Sequence, residues 1–208
     1  MFDHVLGTKP NKIAIVGCRP SMQDFVSIRA SIQSKDFKVD EVWGINAGGA
    51  ALNVDLSFIM DDIALMKAID HNVYEHVKSP VITSVPRREG DTAFPLAEVL
   101  NIPGARDYLN HTAAYALVYA LLIGVKEICV FGCDYVSQSQ PYAAGGRDDR
   151  PARYMACMAF WSGVAAARGV NVIVTPNSPL LDADAEAKDK FYGYVVPPVV
   201  KREGEDNG

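Results

Sequence analysis

EICVFG, residues 127–132, is apolar at odd and even positions alike. A strand with one wet face alternates apolar and polar side chains. A run without alternation is a strand covered on both faces, the pattern of a parallel sheet packed between helices. The flanking segments agree with that reading. Upstream, Thr112–Ile123 is a long apolar helix stopped by Gly124. Downstream, a helix from Ala152 to Arg168, stopped by Gly169, leads into a further strand at Asn171–Thr175.

The same alternation of elements extends toward the N-terminus. Lys12–Gly17 reads as the first strand, followed by a helix over Met22–Ser34 with Met22, Phe25, Val26, Ile28 and Ile32 near one face. Glu41–Asn46 and Asp55–Met60 are the second and third strands. Asp61 or Asp62 is placed to cap the next helix, which has Ile63, Met66, Ile69 and Val73 at helical spacing. Pro80–Val85 is the fourth strand, and Arg87–Asn110, rich in proline, glycine and charge, reads as a connection to the helix at Thr112. Repeated strand–helix–strand units predict a single Rossmann-like, doubly wound α/β domain, a mostly parallel sheet with helices on both faces. That domain is expected over residues 1–182, with residues 183–208 a C-terminal extension ending in the disordered polar tail KREGEDNG.

With 208 residues, 49% hydrophobic and 22% charged, the chain suffices for one sizeable core and not for two comfortable domains. The formal charge of -5 argues against a broad electrostatic grip on nucleic acid. A local basic patch of Arg87, Arg88, Arg147, Arg150 and Arg153 leaves DNA open as an acceptor without implying it. Cys18, Cys129, Cys133 and Cys157 form no CxxC pair and lie mostly in apolar runs, as free thiols of a reducing compartment do. No apolar stretch is long enough for a membrane span and the N-terminus lacks a basic-then-apolar leader, so a cytoplasmic protein is expected. The apolar run of Phe191, Tyr192 and Tyr194–Val196 would support a homo-oligomer.

In open parallel sheets, ligands sit at the carboxyl ends of the strands, near the point where strand order reverses. The residues so placed are Gly17–Ser21, Asn46–Gly49, Asp61 and Asp62, Ser84–Arg88, Asp134 and Tyr135, and Pro176–Ser178. Nearly all are polar or glycine. KIAIVGCRPSM, residues 12–22, runs a strand through a glycine turn into a helix, a geometry that aims backbone N–H groups and a helix dipole at an anion such as phosphate. It carries neither the three-glycine dinucleotide fingerprint nor the lysine of the phosphate loop.

YLNHTAAYALVYALLIGVKEICVFGCDY, residues 108–135, resembles a segment of the bacterial lipooligosaccharide sialyltransferases, and VIVTPNSPLL, residues 172–181, is similar to their strand–loop containing Pro-Asn-Ser. IVGCRPSM resembles their first glycine loop, and VWGINAG the strand that supplies a nucleotide-contacting asparagine. The resemblance runs from about Ile13 to Leu181. The same scaffold is shared with proteins related to 6-hydroxymethylpterin pyrophosphokinase and with uncharacterised phage proteins. What the resemblance implies is a glycosyltransferase-like enzyme using a nucleotide-activated donor, a CMP- or UDP-sugar. Gly17, Arg19, Pro20 and Ser21 then meet the nucleotide phosphates, and Asn46 meets the nucleotide or its attached group. His111 and Thr112 stand where the family holds the donor. Asp134 lies on the ribose side, Tyr135 lines the pocket, and Asn177 and Ser178 meet base or ribose.

One family element is missing. A histidine serves those enzymes as general base before the last long helix, and this chain has no histidine after His111. Asp148 or Asp149, at the end of VSQSQPYAAGGRDDR, can substitute if burial raises a carboxylate pKa toward the working pH, with His111 as the other base candidate. The Gly pair in that segment suits a closing lid, and Tyr135 and Tyr142 are possible counterparts of two family tyrosines near the leaving phosphate. Three classes therefore stand side by side: a glycosyltransferase-like enzyme, a magnesium-dependent pyrophosphokinase acting on a hydroxymethyl heterocycle with Asp61 and Asp62 as metal ligands, and a non-catalytic nucleotide binder. Plainer readings accompany them. Asp61 and Asp62 are equally placed to cap a helix, Asn46 to form a turn, and Arg87 and Arg88 to be a solvated pair.

Overall fold

The computed structural model describes residues 3–30, 37–64, 73–134, 150–175 and 177–180. Among the described residues seven strands form one sheet: β1 (Lys12–Val16), β2 (Glu41–Ile45), β3 (Leu56–Ile59), β4 (Val81–Thr83), β5 (Thr92–Ala93), β6 (Glu127–Phe131) and β7 (Asn171–Val174). Their spatial order is β5-β4-β3-β2-β1-β6-β7, and every neighbouring pair is parallel. The α/β class and the Rossmann-like order, with its reversal between β1 and β6, follow from this topology. The described helices are α1 (Met22–Ala30), α2 (Ala47–Ala51), α3 (Val73–His76), α4 (Leu96–Val99), α5 (Thr112–Ile123) and α6 (Arg150–Ala167).

The two-faced hydrophobicity of the central strands has a direct cause. Ile13 and Ile15 of β1, and Ile128 and Val130 of β6, pack into one core cluster with α5 and α6. Ala14, Val16, Cys129 and Phe131, the alternate positions, pack into a second cluster with Phe25 of α1. Helices on both faces leave no wet face for polar residues to occupy.

α5 is the central helix of the larger core, with ten of its twelve residues buried. Its alanines let it lie close to β1, β2 and β3 on one side and α6 on the other. Gly124 ends it at φ 91°, where its N–H and that of Val125 both bond the Ala120 carbonyl, at 3.1 and 3.0 Å.

Two parts of the chain differ from the sequence-based expectation. The connection before α5 contains the seventh strand, β5, which pairs with β4 and is followed by a Phe94 N–H bond to the Thr83 carbonyl at 2.9 Å. Arg88 is an anchor of this connection and not a solvated cation. Its guanidinium bonds Asp91 Oδ1 at 3.0 Å, the Val77 carbonyl at 2.9 Å and the Ser79 carbonyl at 3.1 Å. Asn46, open to reading as a turn former or a ligand contact, is followed by the short helix α2.

All four cysteines are free thiols. Among the described residues no helix is long and apolar enough to cross a membrane. The apolar stretch at 191–196 and the extension at 183–208 lie outside the described residues.

Candidate functional site

At the carboxyl edge of the sheet, above the reversal between β1 and β6, lies a crevice of about 220 Å³. Its floor is backbone. A Cβ on Gly17, which follows β1, would fall onto the Gly132 carbonyl oxygen, and a Cβ on Gly132, at φ 62°, would fall onto the Gly17 carbonyl oxygen. Glycine at both positions lets the two strand ends touch and keeps the space above them clear.

Several donors of the turn after β1 are spent inside the fold. The Gly17 N–H bonds the Phe131 carbonyl at 2.9 Å and the Arg19 N–H bonds the Gly132 carbonyl at 3.0 Å. Pro20 has no N–H, is exposed, and does not line the crevice. The Ser21 N–H and Oγ–H donate to the two oxygens of Asp134, at 2.6 and 2.7 Å, while Ser21 Oγ accepts the Gly132 N–H at 2.7 Å. Ser178 Oγ–H donates to the same carboxylate. Ser21, Asp134 and Ser178 are 2, 4 and 7% exposed, so this knot is closed to ligand. An anion does sit at the start of α1, as the helix dipole favours, and it is the protein's own carboxylate. A phosphate expected against Ser21 meets a filled place. Asn177 likewise turns to α1, its Nδ2 donating to Asp24 Oδ1 at 2.8 Å. Neither Asn177 nor Ser178 lines the crevice.

The open anion-seeking end belongs to α5. His111 occupies its N-cap position in extended conformation and its side chain makes no cap hydrogen bond, and Thr112 and Ala113 of the first turn line the crevice. Arg19 lines the same space with an exposed guanidinium. Burial drives the His111 pKa down to about 4, opposed by a backbone hydrogen bond with Tyr154. The imidazole is therefore neutral at pH 7 and stands 5.0 Å from the Tyr154 ring, centroid to centroid. Neutral imidazole offers a hydrogen-bond donor and an acceptor, without charge.

On the β2–β3 side stands Asn46, at φ 48° and ψ -120° the only non-glycine residue of positive φ among those described. Its Nδ2 donates to Asp61 Oδ2 at 3.0 Å, and its Oδ1 is buried without a donor. Asp61 lines the crevice, whereas the neighbouring Asp62 accepts the Ala64 N–H at 2.9 Å. The two carboxylates thus take different partners, the Asn46 amide for Asp61 and the Ala64 N–H for Asp62. Among the described residues no group of three or more His, Cys, Asp or Glu converges on a metal position.

Gly17, Arg19, Asn46, Asp61, His111 and Thr112 thus come together, while Pro20, Ser21, Asp62, Asp134, Asn177 and Ser178 do not line the space. Tyr135, Tyr142, Asp148 and Asp149 lie outside the described residues. Sequence reasoning missed Asn110 and Tyr154. Asn110 adjoins the α5 start and lines the crevice, and its Oδ1 accepts a hydrogen bond from the Cys157 thiol at 3.0 Å. Its position directly before the helix entry at His111 was the available signal.

No protein-family model matches the chain, and no curated protein matches its sequence. Among solved structures it is similar to the sialyltransferase CstII from Campylobacter jejuni in complex with the substrate analogue CMP-3FNeuAc. The identity there is 14%, with 82% of each chain covered and a TM-score of 0.46. It is also similar to CstII in complex with a trisaccharide acceptor and CMP, at 15% identity over 80% of this chain and 82% of that one, with a TM-score of 0.43.

Proposed function

We propose that the chain is a nucleotide-dependent transferase of the glycosyltransferase type that holds its donor in the crevice. The observation that carries this reading is the placement of the uncapped start of α5 over the β1–β6 reversal, on a floor of paired glycine backbone. The anionic part of the donor binds the Thr112 and Ala113 N–H groups with Arg19 beside it. The resemblance of residues 108–135 and 172–181 to sialyltransferase motifs supports the same assignment and favours a CMP- or UDP-sugar. Neutral His111 orients the donor by hydrogen bonding. Asp148 and Asp149, immediately before the start of α6 in the chain, are the proposed proton acceptors for an acceptor hydroxyl.

Calorimetric titration with CMP, UMP, CDP, UDP, ADP and GDP derivatives, with and without magnesium, tests the reading. Binding of at least one pyrimidine nucleotide is expected, weakened when Thr112→Pro removes a first-turn N–H while leaving a helix-compatible residue there. Failure of all of them to bind would refute it. Magnesium-dependent turnover of ATP would instead favour a pyrophosphokinase, and tight binding with no donor turnover a non-catalytic binder.

A further inference from the structure

Cys18 and Cys133 both line the crevice, each directly after a glycine of its floor. β1 and β6 end on the pair Val16 and Phe131, so the same count past each strand reaches Gly17 and Gly132, then Cys18 and Cys133. The two chains stay together beyond the strands. The Gly17 N–H bonds the Phe131 carbonyl at 2.9 Å, and the Arg19 N–H bonds the Gly132 carbonyl at 3.0 Å. The second bond sets the spacing of the cysteines. Cys18 Cα lies in the planar peptide unit of the Arg19 nitrogen, and Cys133 Cα lies in that of the Gly132 carbonyl. Two such units joined by one hydrogen bond hold those Cα atoms no more than about 7 Å apart, within the span of a disulfide.

The Cys133 side chain is turned toward β1. Its Sγ stands 3.3 Å from the place a Cβ on Gly17 would occupy, against the residue directly before Cys18. The two thiols differ in access, Cys18 being exposed and Cys133 only 2% exposed. An exposed thiol beside a covered one is the arrangement of a sensor cysteine and its resolving partner. The other two cysteines lack it. Cys129 packs into the core with Phe25 of α1, and Cys157 donates to Asn110 Oδ1 at 3.0 Å. Burial pushes the pKa of both up, away from the reactive thiolate.

We propose that Cys18 and Cys133 form an oxidative modification site, in which hydrogen peroxide joins them by a disulfide across the crevice floor. The Cys18 thiolate attacks one peroxide oxygen and the O–O bond breaks. Cys18 becomes a sulfenic acid, and the departing oxygen leaves as water after taking up a proton. The Cys133 sulfur then attacks the Cys18 sulfur, the S–O bond breaks, and the hydroxyl leaves as water with the Cys133 proton. Two thiols thus lose two electrons and one peroxide is reduced to two waters. The bridge draws both sulfurs over Gly17 and Gly132 and displaces a ligand seated there. The disulfide is independent of the nucleotide reading above, and only the loss of nucleotide binding rests on it.

The test treats the folded wild type and Cys18→Ser with hydrogen peroxide, blocks remaining thiols with N-ethylmaleimide before unfolding, and maps the digest by non-reducing mass spectrometry. Cys18 is exposed, so the variant is expected to melt with the wild type, which circular dichroism checks. Wild type should yield a peptide cross-linked between Cys18 and Cys133 that dithiothreitol removes, and the variant should keep Cys133 as a reduced thiol. Calorimetry with CMP, UMP, AMP and GMP should show binding at least tenfold weaker to the oxidised wild type than to the reduced, restored by dithiothreitol. Sulfinic or sulfonic acid at Cys18 with no cross-link, or Cys133 joined to another cysteine, would overturn the proposal. Cross-linked protein with undiminished affinity would overturn the closure of the crevice. Failure of every nucleotide to bind the reduced protein would remove the nucleotide reading, and the cross-link would still decide the modification site.

Discussion

Ser21→Ala is the sharpest probe of the knot at the start of α1. The substitution deletes one hydroxyl that donates to Asp134 at 2.7 Å and accepts the Gly132 N–H at 2.7 Å. A buried donor left without a partner costs about 1–3 kcal/mol, and a hydrogen bond to a charged group is worth about 1.5–3 kcal/mol. The two losses share one atom and partly relax together, so a net destabilisation of about 3 kcal/mol is expected, the lower half of their sum. For a domain of this size that corresponds to a fall of roughly 6–12 °C in Tm. Urea unfolding followed by tryptophan fluorescence is a suitable assay, because Trp43 and Trp161 are both fully buried and report on the core. The m-value should stay constant while the midpoint drops. Ser178→Ala should couple to it by about 0.5 kcal/mol or more in a double-mutant cycle, because both hydroxyls donate to Asp134 Oδ1. A loss below about 1 kcal/mol, with no coupling, would show that the knot does not hold this edge together.

His111, held near pKa 4 by burial against 6.5 when exposed, binds its proton more readily in the unfolded chain. Stability is then full above about pH 6.5 and falls as pH drops toward 4, by at most about 3 kcal/mol. His111→Gln should flatten that slope in urea titrations between pH 7 and 4.5, and an imidazole NMR titration with a midpoint at 6 or above would refute the assignment. Asn46→Gly relieves a backbone at φ 48° and should leave stability unchanged or raise it by up to about 1 kcal/mol, while weakening nucleotide binding about tenfold or more. A variant both less stable and equal in affinity would contradict a ligand role for that residue.

Much of this architecture was legible because it is written in local periodicity. β1, β6 and α5 each announce themselves in five to twelve consecutive residues. The strand-end rule then brought Gly17, Asn46 and Asp61 into consideration without knowledge of their contacts, and the family resemblance added Thr112. It does not say which polar residue at a strand end faces the ligand and which faces its neighbour. Ser21 and Asp134 meet across 113 positions of sequence, and nothing near either residue encodes the pairing. Asn110 was missed for the same reason, since its orientation depends on Cys157, 47 residues away. β5 escaped because two residues are too few to show a period.

The burial of α5 has a consequence for whatever binds at its start. A helix with ten of twelve residues in the core cannot slide or tilt without opening the contacts of β1, β2, β3 and α6 around it. The N–H groups of Thr112 and Ala113 are thereby fixed in direction before any ligand arrives. Association at that end would carry little ordering cost for the receptor, so only the ligand's own loss of freedom and its desolvation would stand against the contact energy.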